Sequence, residues 1–63
     1  MKAYVHPVAP QFTIQQLATR WNVHPLTIRR RIHRGEIRCL RFSRQLVRIE
    51  QAEVERFERE ARV

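Results

Sequence analysis

Between Thr27 and Arg34 the chain places four arginines and one histidine within eight residues, interrupted only by Ile28 and Ile32. A guanidinium is permanently charged and presents a planar fork of donors that matches phosphate oxygens and the O6/N7 edge of guanine. A solvated helix face normally mixes signs, as residues 50–62 do here, whereas this run meets no acid before Glu36. At about 100° per residue, Pro25, Ile28 and Ile32 share one sector of a helix, and Arg30 lies opposite, with Leu26, Thr27, His33 and Arg34 around it. Such a helix is buried on one face and cationic on the other, the electrostatic footprint of a nucleic-acid contact. Arg31 falls towards the core side, where its stem can cover apolar surface while its head reaches water, or it can join the cationic face; both readings stay open.

Other chemistry finds little support. There is no Asp, no Gly-rich loop, no pair of carboxylates on a basic face, and no Ser or Cys beside a base, so no catalytic residue is assigned and an enzyme is not expected. His6, His24, His33 and Cys39 lack CxxC or paired-His spacing, so neither a metal nor another cofactor is expected. His33 suits a phosphate neighbour and Cys39 a small strand residue. Trp21, Phe42 and Phe57 are expected in the core rather than as base-stacking platforms, which leaves Tyr4 as the candidate exposed aromatic.

The whole composition points the same way. Of the thirteen basic residues in the 63-residue chain, twelve are Arg, and the formal charge is +7. Residues 1–49 carry ten basic groups and one acid, a net of +9; residues 50–63 carry three Arg and five Glu, a net of −2. A basic body favours a polyanion, and the mildly acidic end offers a surface for a protein contact or simply a solvated helix. One Cys excludes an internal disulfide and fits a reducing, intracellular compartment; a cytoplasmic location is expected, nucleoid-associated if the basic body binds DNA. No stretch is apolar for the roughly 18 residues a membrane span needs, and no signal-peptide pattern opens the chain, so no membrane partner is expected.

The elements that must position these arginines follow from pattern. Residues 1–11, with Pro7 and Pro10, are expected as an extended arm onto which Tyr4 and Val5 fold back, and residues 12–63 as a single domain. Thr13 and Gln16 have the spacing of a capping box after Phe12, and Ile14, Leu17, Ala18 and Trp21 form the apolar stripe of a helix over about 14–21. Asn22 tolerates a left-handed end, with Val23 tucked into the core. Pro25 opens a second helix over about 25–34, with His24 near its cap, and Gly35 ends it. Residues 37–42 and 46–49 form a hairpin about Ser43-Arg44-Gln45, in which Leu40, Phe42, Val47 and Ile49 alternate with Arg41 and Arg48. A third helix over about 51–61 presents Val54, Phe57 and Ala61, with Glu55–Arg59 and Glu58–Arg62 as i, i+4 pairs. The expected fold is mainly α with a small β-hairpin, a winged helix-turn-helix.

With the elements in place, the stretch from Phe12 to Ala18, then Val23-His-Pro-Leu-Thr-Ile-Arg-Arg-Arg-Ile-His-Arg-Gly-Glu-Ile37, the Arg41–Arg44 turn, Arg48-Ile49 and Glu53-Val-Glu-Arg-Phe57 resembles the excisionase family. The resemblance covers about residues 12–57. It implies a winged helix-turn-helix related to the DNA-binding domains of MerR regulators, and a recombination directionality factor. Such a factor binds double-stranded DNA at attachment regions of phages or mobile elements, often cooperatively with further copies of itself. It bends that DNA and turns integrase towards excision. A MerR activator would continue past residue 63 into a dimerisation helix, so the short form is the better fit; a small MerR-like transcriptional regulator is the alternative. The chain departs from many relatives in having His24-Pro25 at the recognition-helix cap, Ser43 at the wing turn and Glu50 where a proline is common.

On this pattern the DNA-binding residues are Leu26, Thr27, Arg29, Arg30, His33 and Arg34 on the recognition helix and Arg41, Ser43, Arg44 and Gln45 on the wing. Arg30 is expected to read a base in the major groove, with Thr27 or Leu26 against a thymine methyl or a phosphate. Arg29 and Arg34 are expected to grip phosphates, and Arg44 to reach the adjacent minor groove or backbone.

Overall fold

A computed structural model describes residues 10–61. The expectations for Tyr4, Val5 and His6, and for the Glu58–Arg62 pair, lie outside the described residues. The order of elements is β1 (Gln11–Phe12), α1 (Ile14–Trp21), α2 (Pro25–His33), β2 (Leu40–Arg41), β3 (Val47–Glu50) and α3 (Gln51–Ala61). Three helices and a small antiparallel sheet make a winged helix-turn-helix, as the sequence predicts.

The helix ends are set by local chemistry. Thr13 and Gln16 close a reciprocal capping box: the Thr13 hydroxyl accepts from the Gln16 amide, and the Gln16 side chain accepts from the Thr13 amide, each at 2.9 Å. Asn22 ends α1 at φ 57°, the left-handed region in which asparagine is tolerated. A three-residue turn leads to α2, and there His24 does what a serine would do, its Nδ1 accepting from the Leu26 amide at 3.0 Å. Gly35, at φ 81°, stops α2; its amide reaches the Ile32 carbonyl and the Glu36 amide the Arg31 carbonyl, a Schellman closure. A proline is not needed before α3, because β3 passes straight from Glu50 into Gln51, whose amide donates to the Pro10 carbonyl at 2.9 Å.

The sheet has the order β1-β3-β2. Gln11 and Phe12 pair with Glu50 and Ile49, so the sheet takes in one residue of the expected arm. Two-residue strands carry too weak a period to be seen in the sequence. The first hairpin strand is shorter than the 37–42 segment and differs from it in phase by one residue, whereas the second has the length of the 46–49 segment but begins and ends one residue later. Leu40 faces Arg48 across the ladder and Arg41 faces Val47. Directly opposed residues share a face, so Arg41 lies on the buried side of Val47, whereas Leu40 and Phe42 lie on the outer side. Ile37 and Cys39 take the inward positions instead.

Leu17, Ala18, Ile28, Ile37, Ile49 and Val54 form the core, and Phe12, Ile14, Trp21, Ile32, Cys39 and Phe57 pack around it. Each large buried side chain contributes about 1.5–3 kcal/mol of transfer free energy, so a handful of residues from every helix and from β3 holds the domain. Trp21 and Phe57 stack tilted, centroids 5.1 Å apart. Three expectations are corrected. Phe42 is not core but 60 % exposed, because of the hairpin register. Val23 is likewise exposed: the chain turns with its amide on the Ala18 carbonyl and leaves the side chain outward. Glu55 accepts from the Gln51 side chain at 2.8 Å rather than pairing with Arg59.

Candidate nucleic-acid interface

α1 packs its Leu17–Ala18 stripe against Ile28 and so fixes which side of α2 faces out. Leu26, Arg29, Arg30, His33 and Arg34 are exposed, and Thr27 is half-buried. Arg29, Arg30, His33 and Arg34 line one shallow groove along the helix. The hairpin stands beside it. A small hollow of about 120 Å³ between them is lined by Ile14, Arg29, Ile32, His33, Arg41 and Val47. A larger cleft of about 270 Å³ brings Arg29 of α2 together with Arg44, Gln45 and Arg48 of the hairpin and with Thr13 and Gln15 at the start of α1. The one-residue shift in register thus sets Arg41, still exposed, on the side of the hairpin that faces α2.

The carboxylates sort the arginines. Glu58 receives Arg20 Nε at 2.7 Å and Arg20 Nη2 at 3.1 Å, together with Trp21 Nε1 at 2.6 Å. The hydrogen bond to Glu58 raises the pKa of Arg20. Glu36 binds Arg31 at 2.9 Å and Arg34 at 3.2 Å. Glu53 is taken up by Arg56 and by the Arg38 amide at 2.8 Å, and its carboxyl is held down to about 2, first by the hydrogen bond from Arg56. Arg56 also reaches Glu60. Among the described residues no carboxylate pairs with Arg29, Arg30, Arg41 or Arg44, and Arg48 donates only to the neighbouring Val47 carbonyl. These five charges lie on α2 and the hairpin, where an anion meets them with no carboxylate among the described residues to displace. Arg38 and Arg59 line a separate hollow that also contains Glu50, Glu53 and Arg56.

Not every residue singled out from the sequence is displayed in the same way. Arg34 is exposed but shared with Glu36. Ser43 uses its hydroxyl to accept from the Leu46 amide at 3.1 Å, closing the turn, and so positions Arg44 and Gln45. Arg31 is settled on the core side, its guanidinium 5.4 Å from the Phe57 ring centroid. Arg48 is not singled out by the sequence: it alternates with the buried Val47 and Ile49 and lies opposite Leu40 across the ladder, and it joins Arg29 in lining the cleft at the start of α1.

A family model described as a helix-turn-helix domain matches residues 12–62. The chain belongs to the helix-turn-helix domain family. Searches of curated proteins and of solved structures find no match. Helix-turn-helix membership indicates DNA binding; α1 and α2 are the two helices of the motif, and the hairpin follows them as the wing of the fold. Among the described residues of this helix-turn-helix chain no His, Cys, Asp or Glu cluster could hold a metal ion, and no helix is long and apolar enough to cross a membrane.

Proposed function

We propose that this helix-turn-helix protein is an excisionase-type architectural factor: it binds attachment-site DNA, bends it, and directs an integrase towards excision, without chemistry of its own. The observation that carries the DNA-binding part is the gathering of Arg29, Arg30, Arg41, Arg44 and Arg48, none with a carboxylate partner among the described residues, on α2 and the wing, while the acids engage Arg20, Arg31, Arg34 and Arg56. The recombination role rests on the sequence resemblance to excisionases over residues 12–57.

In this reading α2 enters the major groove. Arg30 addresses a base edge, Leu26 and Thr27 the adjacent methyl or phosphate, and Arg29 and His33 the backbone. Arg34 adds a weaker phosphate contact, shared with Glu36. The wing, with Arg41, Arg44 and Gln45 held by the Ser43 turn, spans to the neighbouring minor groove, and Arg48 closes the backbone contact between the two elements. Integrase and neighbouring copies on the DNA are the protein partners, in the cytoplasm of a bacterial host, and α3 supplies the mixed-charge surface for them.

The test is a gel-shift titration on DNA flanking the integration site of the element that encodes the protein, at two salt concentrations, with an unrelated duplex as competitor. Stepwise, selective shifts, followed by stimulation of excision over integration by the integrase, are the expected result. Selective binding at a promoter palindrome with no effect on excision would replace this function by transcriptional regulation.

A further inference from the structure

The outer side of the wing carries apolar side chains at its tip where solvent exposure gives no reason for them, with Arg48 on the same face further back, opposite Leu40. Phe42 is 60 % exposed and Leu46 42 % exposed, and the ladder places Leu40, half-buried, on the same face as Phe42. The tip that carries them is tightly closed: the Phe42 and Ser43 amides both donate to the Leu46 carbonyl, at 2.9 and 3.4 Å, and the Leu46 amide returns to Ser43 Oγ. Phe42 is therefore held outward by the backbone register. Arg41 and Arg44 flank it in sequence, and neither has a carboxylate partner among the described residues.

That combination selects one kind of occupant. A second apolar protein surface would have to strip water from two uncompensated guanidiniums, whereas a duplex neutralises them with phosphate and offers sugar and base edges between the phosphates. A hairpin tip entering a minor groove about 6 Å wide meets a wall on either side. Here the inner side carries Arg41, the tip Arg44, and the outer side Phe42 backed by Leu46. Apolar side chains inserted at a base step partly unstack it and kink the duplex, typically by about 20–90°.

We infer that Phe42, supported by Leu46, is an apolar wedge that opens a base step under the wing and sets the bend in the bound DNA. The inference rests on the proposed wing contact with the minor groove and adds to it a residue that does not act through charge. Phe42 is 60 % exposed and is not one of the buried or partly buried residues that make up the core, so replacing it should leave the fold intact, and a superimposable thermal melt checks this.

The experiment uses a duplex selected by the wild-type protein from a randomised pool, with 2-aminopurine walked through the positions protected by the wing. Wild type should raise the fluorescence of one step as it unstacks, and circularly permuted fragments should show a bend centred there. Phe42→Ala should lose most of both signals with an unchanged salt dependence. Arg44→Ala should keep the fluorescence rise at saturation while the slope of log K against log salt falls in magnitude by about 0.9. Unchanged fluorescence and bend in Phe42→Ala, or selective wild-type binding that unstacks no step, would overturn the wedge and leave DNA binding standing. Failure of the wild type to select any duplex would remove the DNA reading and the wedge together.

Discussion

The partition of arginines into paired and unpaired sets fixes a number that titration can read. If Arg30 reads a base, Arg29, Arg41, Arg44 and Arg48 each neutralise one phosphate, and Arg34, its charge still met by Glu36, releases no counterion of its own, four counterions are released, and log K falls with log salt at a slope of about −3.6. Between about 50 and 200 mM salt that slope amounts to a loss of roughly 150-fold in affinity. Were Arg20, Arg31 and Arg34 to leave Glu58 and Glu36 and bind phosphate as well, the slope would approach about −6.3, a loss of several thousandfold over the same range. The two cases differ by far more than the error of a fluorescence-anisotropy titration. The double variant Arg41→Ala/Arg44→Ala supplies the internal check, since it should bring the slope to about −1.8. A wild-type slope near −6, or a double variant that leaves the slope where it was, would refute the assignment of these cations to the interface.

Three further outcomes follow from the acids. Glu36→Gln should release Arg31 and Arg34, tightening DNA binding and steepening the salt slope by up to about 0.9, as one freed Arg reaches phosphate; weaker binding in the same titration would place Glu36 in support of the helix instead. Glu58→Leu deprives the half-buried Trp21 indole of its acceptor and should cost about 1–2 kcal/mol, seen as a lower melting temperature and a shifted tryptophan emission. Acid should weaken the fold through Glu53, whose side chain is 10 % exposed and whose carboxyl pKa is held down to about 2. Because the folded pKa lies below the unfolded one, this stabilisation is complete above about pH 4.5 and is lost as pH falls through about 2; allowing for solvent screening it amounts to about 1–2 kcal/mol, and Glu53→Gln should flatten the pH dependence of urea midpoints over that window.

Much of this architecture is written in local signals. The Thr13–Gln16 spacing, Asn22, Pro25 and Gly35 punctuate the first two helices, and each does its work within four residues, so single-sequence pattern is enough to place them. The cationic face of α2 is equally legible, because Ile28 and Ile32 fix the buried side. The wing is different. Leu40, Arg41 and Phe42 read as an alternating strand in either phase, and the choice is made by long-range pairing with Val47 and Arg48, which no local period encodes. The same pairing decided that Phe42 is outward, that Arg41 faces α2 and that Cys39 lies against the core. Gln11–Phe12 could not be seen as a strand for a similar reason: two residues hold no period, and only β3 gives them one. Arg31 and Arg34 had to wait for Glu36, whose approach depends on the turn at Gly35.

The direct passage from Glu50 into Gln51 has a kinetic consequence. With no linker between wing and closing helix, and with β1 bonded along the other edge of β3, the wing lacks a hinge about which to swing when it meets a ligand. Association is then expected to proceed as a rigid-body encounter governed by diffusion and charge steering, rather than by a slow rearrangement of the protein. Whatever adjustment the fit demands falls on the duplex. A stiff protein of this kind discriminates among sequences partly by how readily each can be deformed, including at base pairs it never touches.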